Sequence, residues 1–306
     1  MIPPLTLTKN ITLLGTEHFS LYLIKGETFA IMEGGVSGIT YPFLQQLAQW
    51  KVPPEAISHL IIPHSHFDHM MVFFTLKERY PWMKIVTSTL NQATFSSERI
   101  LSKIFESDRK MTLALMEKGL ISEAPSLSSP TSFPVDLAVE EGSALDLGQG
   151  IKIKFIETPG HSPDLLSGFL EDEGILFCSD GAGFYTPPDF FRPNYWYRLD
   201  EAEKSIDRMR ALDPGILCRG HYGAIMGKEA VRYHLQRSRQ SIEEFKTFVL
   251  EWINRGDSIE EITKEVTERY SKGFLQLFPP EDNYRLWRLL VQRTLEHFGI
   301  EIEGGD

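Results

Sequence analysis

Leu60-Ile61-Ile62-Pro63-His64-Ser65-His66-Phe67-Asp68-His69-Met70-Met71 is the stretch on which the reading of this chain turns. An apolar run over 57–62 stops at Pro63, and three imidazoles and a carboxylate then arrive between positions 64 and 69. Residues two apart in extended backbone project to the same side, so His64 and His66 can share one ion. Asp68 and His69 fall where the next helix begins, and the turn can aim them at a neighbouring point. Groups packed this closely repel one another when protonated, and burial costs them their hydration unless they hold a cation.

More distant residues follow one rule. The run 151–157 (IKIKFIE) leads through Thr158-Pro159-Gly160 to His161; 175–179 (ILFCS) ends at Asp180; 216–219 (ILCR) runs through Gly220 to His221. Each apolar strand delivers one metal-capable side chain at its carboxyl end, where open α/β sheets place their sites. Five of the nine histidines are thereby used, and His18, His59, His234 and His297 are read as structural.

The surrounding pattern is α/β. Residues 20–25 and 28–33 read as a hairpin turning at Gly26-Glu27, and strand signals recur at 57–62, 84–88, 135–139, 151–157, 166–170, 175–179 and 216–219. Helices are expected near 40–50, 69–79, 96–120 and 200–212, with a Ser/Pro-rich loop after the third. Beyond 225 only helix is read. Val231, Leu235, Ser238, Ile242, Phe245, Val249 and Trp252 form one stripe, and Ser258 with Glu261 makes a capping box ahead of Ile259, Ile262, Val266 and Tyr270. Trp287, Leu290, Val291, Thr294 and Phe298 mark a last helix. Such stripes ordinarily pack on a core; a homodimer seam is the sharper alternative. The division expected is 1–225, with a helical insertion at about 96–125, and a helical cap over 226–306.

Composition narrows the function classes. With 31 basic and 42 acidic residues the formal charge is −11, which disfavours nucleic acid as a partner. Cys178 and Cys218 provide no disulfide framework, no run approaches the roughly 18 apolar residues of a membrane helix, and the start lacks a basic segment ahead of an apolar one. The expectation is a soluble cytoplasmic protein with neither nucleic acid nor membrane as partner. Both cysteines lie inside apolar runs and read as inert core thiols.

His64-Ser65-His66-Phe67-Asp68-His69, with Thr158-Pro159-Gly160-His161, Ser179-Asp180 and Gly220-His221 downstream, resembles the metallo-β-lactamase superfamily over about residues 10–225. The resemblance implies an αββα sandwich with metals at one edge and a helical C-terminal extension. It implies that His64, His66 and His161 hold one divalent ion, that Asp68, His69 and His221 hold a second, and that Asp180 bridges them. Zinc or iron, with manganese as a further choice, suits an imidazole and carboxylate set. Met70 and Met71 stand where many members carry glycine, and Glu33-Gly34-Gly35 where the family usually has Asp before Gly. Glu33 is thus a candidate to orient a ligand. The layout looks closest to the thioesterase-like branch that includes the quinolone-signal response protein of Pseudomonas.

The chemistry implied is hydrolysis of a thioester or related activated acyl compound by a metal-bridging hydroxide, with Asp68 and Asp180 as the catalytic carboxylates. A lactonase or a phosphodiesterase on the same site, or a metal-bearing regulatory protein acting through its helical surface, are the alternatives. An oxidoreductase of the diiron–flavin kind would need a flavodoxin-like domain, which the helical end does not resemble. Residues 183–197 hold seven aromatics just after Asp180 and read as the wall of an apolar substrate pocket. Phe184, Tyr185, Tyr195 and Trp196 are the candidates, with Arg192 as an anchor for an anionic group. Phe274, Phe278 and Tyr284 are expected to close the site from the C-terminal helices.

Overall fold

Ser20-Leu21-Tyr22-Leu23-Ile24 sends Tyr22 and Ile24 to one face and Leu21 and Leu23 to the other, and both faces are buried. In the computed structural model, which describes residues 3–300, this segment is the third of seven strands. They are β1 (Leu5–Thr6), β2 (Ile11–Gly15), β3 (Ser20–Lys25), β4 (Phe29–Met32), β5 (Ile57–Ile61), β6 (Lys84–Ser88) and β7 (Leu137–Val139), hydrogen-bonded in that order. The first four pair antiparallel, and β4 to β7 pair parallel. The parallel half needs crossovers, which α1 (Thr40–Gln49), α2 (Met71–Arg79), α3 (Asn91–Phe95) and α4 (Glu98–Glu117) supply.

A second sheet begins with β8 (Ala144–Asp146), β9 (Lys152–Glu157), β10 (Leu166–Leu170) and β11 (Ile175–Ser179). A ribbon of β12 (Phe184–Thr186) and β13 (Phe190–Arg192) and the helix α5 (Leu199–Ala211) intervene before β14 (Ile216–Arg219) and β15 (Ala224–Met226) complete it, in the order β15-β14-β11-β10-β9-β8. Leu13, Tyr22, Ile24 and Met32 of the first sheet interdigitate with Ile153, Phe155, Leu166 and Phe177 of the second. Helices cover both outer faces: Phe43 and Phe73 pack on the first sheet, Met209, Val231 and Leu235 on the second. The architecture is the αββα sandwich, followed by helices up to His297.

Those last helices are α6 (Lys228–Asn254), α7 (Ile259–Tyr270) and α8 (Pro280–His297). The capping box forms, Ser258 accepting from the Glu261 N–H while the Glu261 carboxylate accepts from the Ser258 N–H. The α6 stripe from Val231 to Val249 is buried within the chain, Phe245 meeting the rings of Tyr195, Tyr270 and Trp287. That face is used for packing and is not free to form a dimer seam. No helix of the described residues is long and apolar enough to cross a membrane.

Candidate metal centre

Five chain segments meet at one edge of the sandwich because β4, β5, β9, β11 and β14 all point their carboxyl ends there. After β5, Ser65 N–H donates to the Asp164 carboxylate (2.8 Å), which fixes the turn between His64 and His66. After β4, Gly34 N–H donates to the His69 carbonyl (2.8 Å), and a Cβ on Gly34 would lie 2.7 Å from Met70 Cα. Only glycine fits between these two loops. Gly220 is similarly required, since a Cβ there would stand 2.6 Å from His69 Cε1. Glu33, Ser179 and Tyr222, next to or within the segments that carry the site, hold left-handed backbone with φ of 74°, 48° and 58°. Strain of this kind persists only where the surroundings enforce it.

The donor atoms converge in two groups. His66 Nδ1 lies 3.1 Å from His64 Nε2 and 2.9 Å from His161 Nε2, close to the spacing of ligand atoms around one first-row ion. Asp68 lies 3.7 Å from His69 Nε2 and 3.5 Å from His221 Nε2. Between the groups stands Asp180, with Oδ2 3.5 Å from His161 Nε2 and 3.7 Å from His69 Nε2, and Oδ1 3.5 Å from His221 Nε2. A single carboxylate therefore reaches both.

Outward contacts aim the rings. His69 Nδ1 donates to Glu33 Oε2 (2.6 Å), His161 Nδ1 to the Asn194 carbonyl (3.0 Å), and His221 Nδ1 to the His18 carbonyl (2.6 Å). With these protons directed outward, each Nε2 presents its lone pair to the centre. Asn194 Nδ2 also donates to Asp180 Oδ2 (3.2 Å).

The electrostatics call for cations. Glu33, Asp68 and Asp180 are buried without an Arg or Lys partner among the described residues, while His69 Nε2 and His221 Nε2 are buried with no hydrogen-bond partner. Burial alone would lower His69, but the carboxylates of Glu33, Asp68 and Asp180 outweigh it and raise that imidazole well above its ordinary value. Burial alone would raise Asp180, but His221 and His69 outweigh it and hold the carboxyl well below the usual range. Burial drives His64 well down and His161 down to about 4, leaving both neutral and ready to donate lone pairs. Without an ion the buried carboxylates hold the His69 proton; a divalent cation can take that proton's place among those carboxylates and the neutral nitrogens of His64 and His161.

Above the donors lies a cavity of about 240 Å³. Phe184, Arg192 and Trp196 line it, as do Phe274 and Phe278. Three expectations about the cavity are corrected. Tyr195 is fully buried in the helical core, hydrogen-bonded to Thr294 Oγ1 (2.8 Å), and Tyr185 turns away, donating to the Pro188 carbonyl (2.5 Å) and lying under Arg219. In this aromatic ribbon alternate residues face opposite ways, and composition alone does not say which. Tyr284 is also off the cavity, and Leu286 and Leu289 of α8 take the place foreseen for it. Asn194 was not foreseen, since neither spacing nor residue type distinguishes it from an ordinary loop asparagine. Cys178 and Cys218 are buried free thiols that burial pushes up, Cys218 well above the usual thiol range, so neither is a nucleophile.

Comparison with known proteins agrees with this geometry. The coenzyme F420H(2) oxidase of Methanothermobacter marburgensis is 28% identical over 176 residues, covering 56% of this chain and 36% of that protein. The linear primary-alkylsulfatase of a Pseudomonas sp. is 24% identical over 125 residues, covering 38% of this chain and 22% of that protein. The chain thus spans well under two thirds of either relative. A metallo-beta-lactamase family protein of known structure from Thermus thermophilus superposes with a TM-score of 0.68 at 18% identity, over 98% of this chain and 97% of that one, the C-terminal helices included. A profile of the Metallo-beta-lactamase superfamily matches residues 20–221, the span that carries every one of the converging donors. The chain belongs to the metallo-beta-lactamase superfamily.

Proposed function

We propose that the chain is a two-metal hydrolase of thioesters or related activated acyl compounds. The observation that carries this reading is Asp180, whose two carboxylate oxygens reach both donor groups at the floor of an aromatic cavity. Divalent ions bound there would supply an acidified water as nucleophile and a Lewis acid for the carbonyl. His64, His66 and His161 would hold one ion; Asp68, His69 and His221 the other; Asp180 both.

The remaining work falls to this chain's own groups. Asp68 lines the cavity as well as the donor cluster, so its carboxylate is placed to orient the attacking water and to pass a proton to the leaving group. Glu33 keeps His69 turned inward through its 2.6 Å bond. Phe184, Phe274 and Trp196 keep bulk water from the acyl group. The thioesterase-like reading is supported by layout: Glu33-Gly34-Gly35 stitched to the histidine motif, and C-terminal segments that roof the cavity with Phe274 and Phe278.

The test is a panel assay of protein loaded with zinc, iron or manganese against acyl-thioesters, lactones, phosphodiesters and, in view of the alkylsulfatase relative, alkyl sulfates. Turnover of thioesters that is lost on chelation and restored by metal is the expected result. A fully loaded protein that turns over none of the panel would overturn the reading and leave a regulatory role in its place.

A further inference from the structure

Arg192 closes β13 and sits opposite Phe184 across the ribbon, with 1% of its surface exposed. Its guanidinium carbon lies 4.0 Å from the Phe184 ring centre and 5.5 Å from that of Trp287. Nε and Nη2 are buried with no acceptor, and the side chain has no ion pair among the described residues. Aromatic faces offset only part of the cost of burying a cation. The comparably buried Arg219 is better served: its Nε donates to the Gly223 carbonyl (3.3 Å) and its Nη2 to the Tyr222 carbonyl (2.8 Å), and only its Nη1 is buried without an acceptor. Burial pulls the Arg192 guanidinium down to about 9, which still leaves it charged at neutral pH. A buried donor left without an acceptor in a cavity calls for an explanation.

The cavity does not end at the metal ligands. Phe67, Phe278, Leu286 and Leu289 also line an adjoining groove of about 540 Å³ between α4 and α8, continued by Met111 and Leu277. Charges line the sides of that groove: Lys110 meets Glu106 (3.4 Å) and Arg285 meets Asp282 (3.6 Å), while Lys103 has no ion pair among the described residues. The unmatched buried charge is at the inner end, and Phe67, Met111, Leu277, Phe278, Leu286 and Leu289 give the passage outward an apolar strip between those charges.

We infer that the site takes an amphiphile, whose anionic head pairs with Arg192 beside the metal ligands and whose apolar chain runs past Phe67 and Phe278 into the groove between α4 and α8. This rests on the reading of the centre as hydrolytic and names its substrate class. The head is an oxyanion; a sulfate monoester and a carboxylate share that chemistry. Two divalent charges would exceed those of Glu33, Asp68 and Asp180, so a loaded centre together with Arg192 favours an anion at this end.

Binding to the metal-loaded protein, measured by calorimetry with octane-1-sulfonate, octanoate and 1-octanol, tests this without any turnover. Wild type should bind at least one anionic probe at least tenfold tighter than 1-octanol; preference for the sulfonate points to sulfate monoesters, and for octanoate to carboxylates. Arg192→Met should erase the preference with unchanged metal content and should melt no lower than wild type, since an apolar chain replaces an unpaired buried cation. Leu289→Trp in the groove should weaken the octyl probes while leaving methanesulfonate unaffected. Equal binding of anion and alcohol by wild type overturns the inference whether or not the variants fold. So does an Arg192→Met protein that keeps the preference, or one that melts lower and is rescued by Arg192→Lys. If thioester hydrolysis fails while the Arg192-dependent preference stands, the proposed acyl reaction falls alone.

Discussion

At the scale of single residues, the account depends on which atom each side chain turns inward. His69 presents Nε2 because Nδ1 is held by Glu33 at 2.6 Å. Glu33→Gln keeps an acceptor but removes the charge, so metal affinity should fall by about 10–100-fold, the range for groups that orient a ligand. A competition titration with a chelator measures it, and unchanged affinity would show Glu33 to be a bystander. The division between metal ligands and thiols is equally sharp. His66→Ala should abolish hydrolysis, whereas Cys178→Ala and Cys218→Ala should stay within about tenfold, or ~1.4 kcal/mol of barrier; an inactive but folded cysteine variant would refute the metal-centred chemistry. The histidine cluster was legible because its spacing is local, and the single donors because each follows an apolar strand. Asn194 and the His18 carbonyl were not, since what they contribute is a hydrogen bond defined only once distant loops have met.

At the scale of elements, α4 bears on the site through one buried carboxylate. Asp108 accepts from the Ser37 N–H (2.8 Å) and the Ser37 hydroxyl (2.5 Å), tying the insertion to the loop that follows Glu33-Gly34-Gly35. Burial dominates over these bonds and lifts its carboxyl from an ordinary 3.8 to about 6. A carboxyl raised on folding is bound to its proton more tightly in the native state. Its contribution is therefore most favourable below pH ~4 and is lost as pH rises through about 6, by on the order of 2–3 kcal/mol. Asp108→Asn should flatten that slope, and denaturant unfolding of both proteins between pH 4 and 7 would show it; parallel curves would contradict the assignment. The helices and the longer strands were readable from periodicity, Lys84–Ser88 to its ends. Ile11–Gly15 was not, because it is buried on both faces and shows no alternation, and the three-residue strands Phe184–Thr186 and Phe190–Arg192 are too short to show a period.

At the scale of the whole molecule, neighbouring aromatics have opposite fates because the helical C-terminus covers one and the cavity meets the other. Tyr195→Ala should cost about 3–5 kcal/mol of stability, as for other large buried rings, and lower turnover of all substrates alike. Trp196→Ala, which removes a half-buried ring that meets Trp287, should lower the melting temperature less than Tyr195→Ala does and raise KM more than it lowers kcat for bulky apolar acyl groups, while sparing an acetyl ester. The reverse pattern would show that the ring facing the cavity has been misassigned. The account as a whole requires that two donor groups, joined by Asp180, each hold an ion. Elemental analysis of the purified, metal-saturated protein tests this most directly. About two divalent ions per chain, falling to one or none in Asp180→Ala, is the predicted result; one ion in the wild type, or two retained by Asp180→Ala, would contradict it.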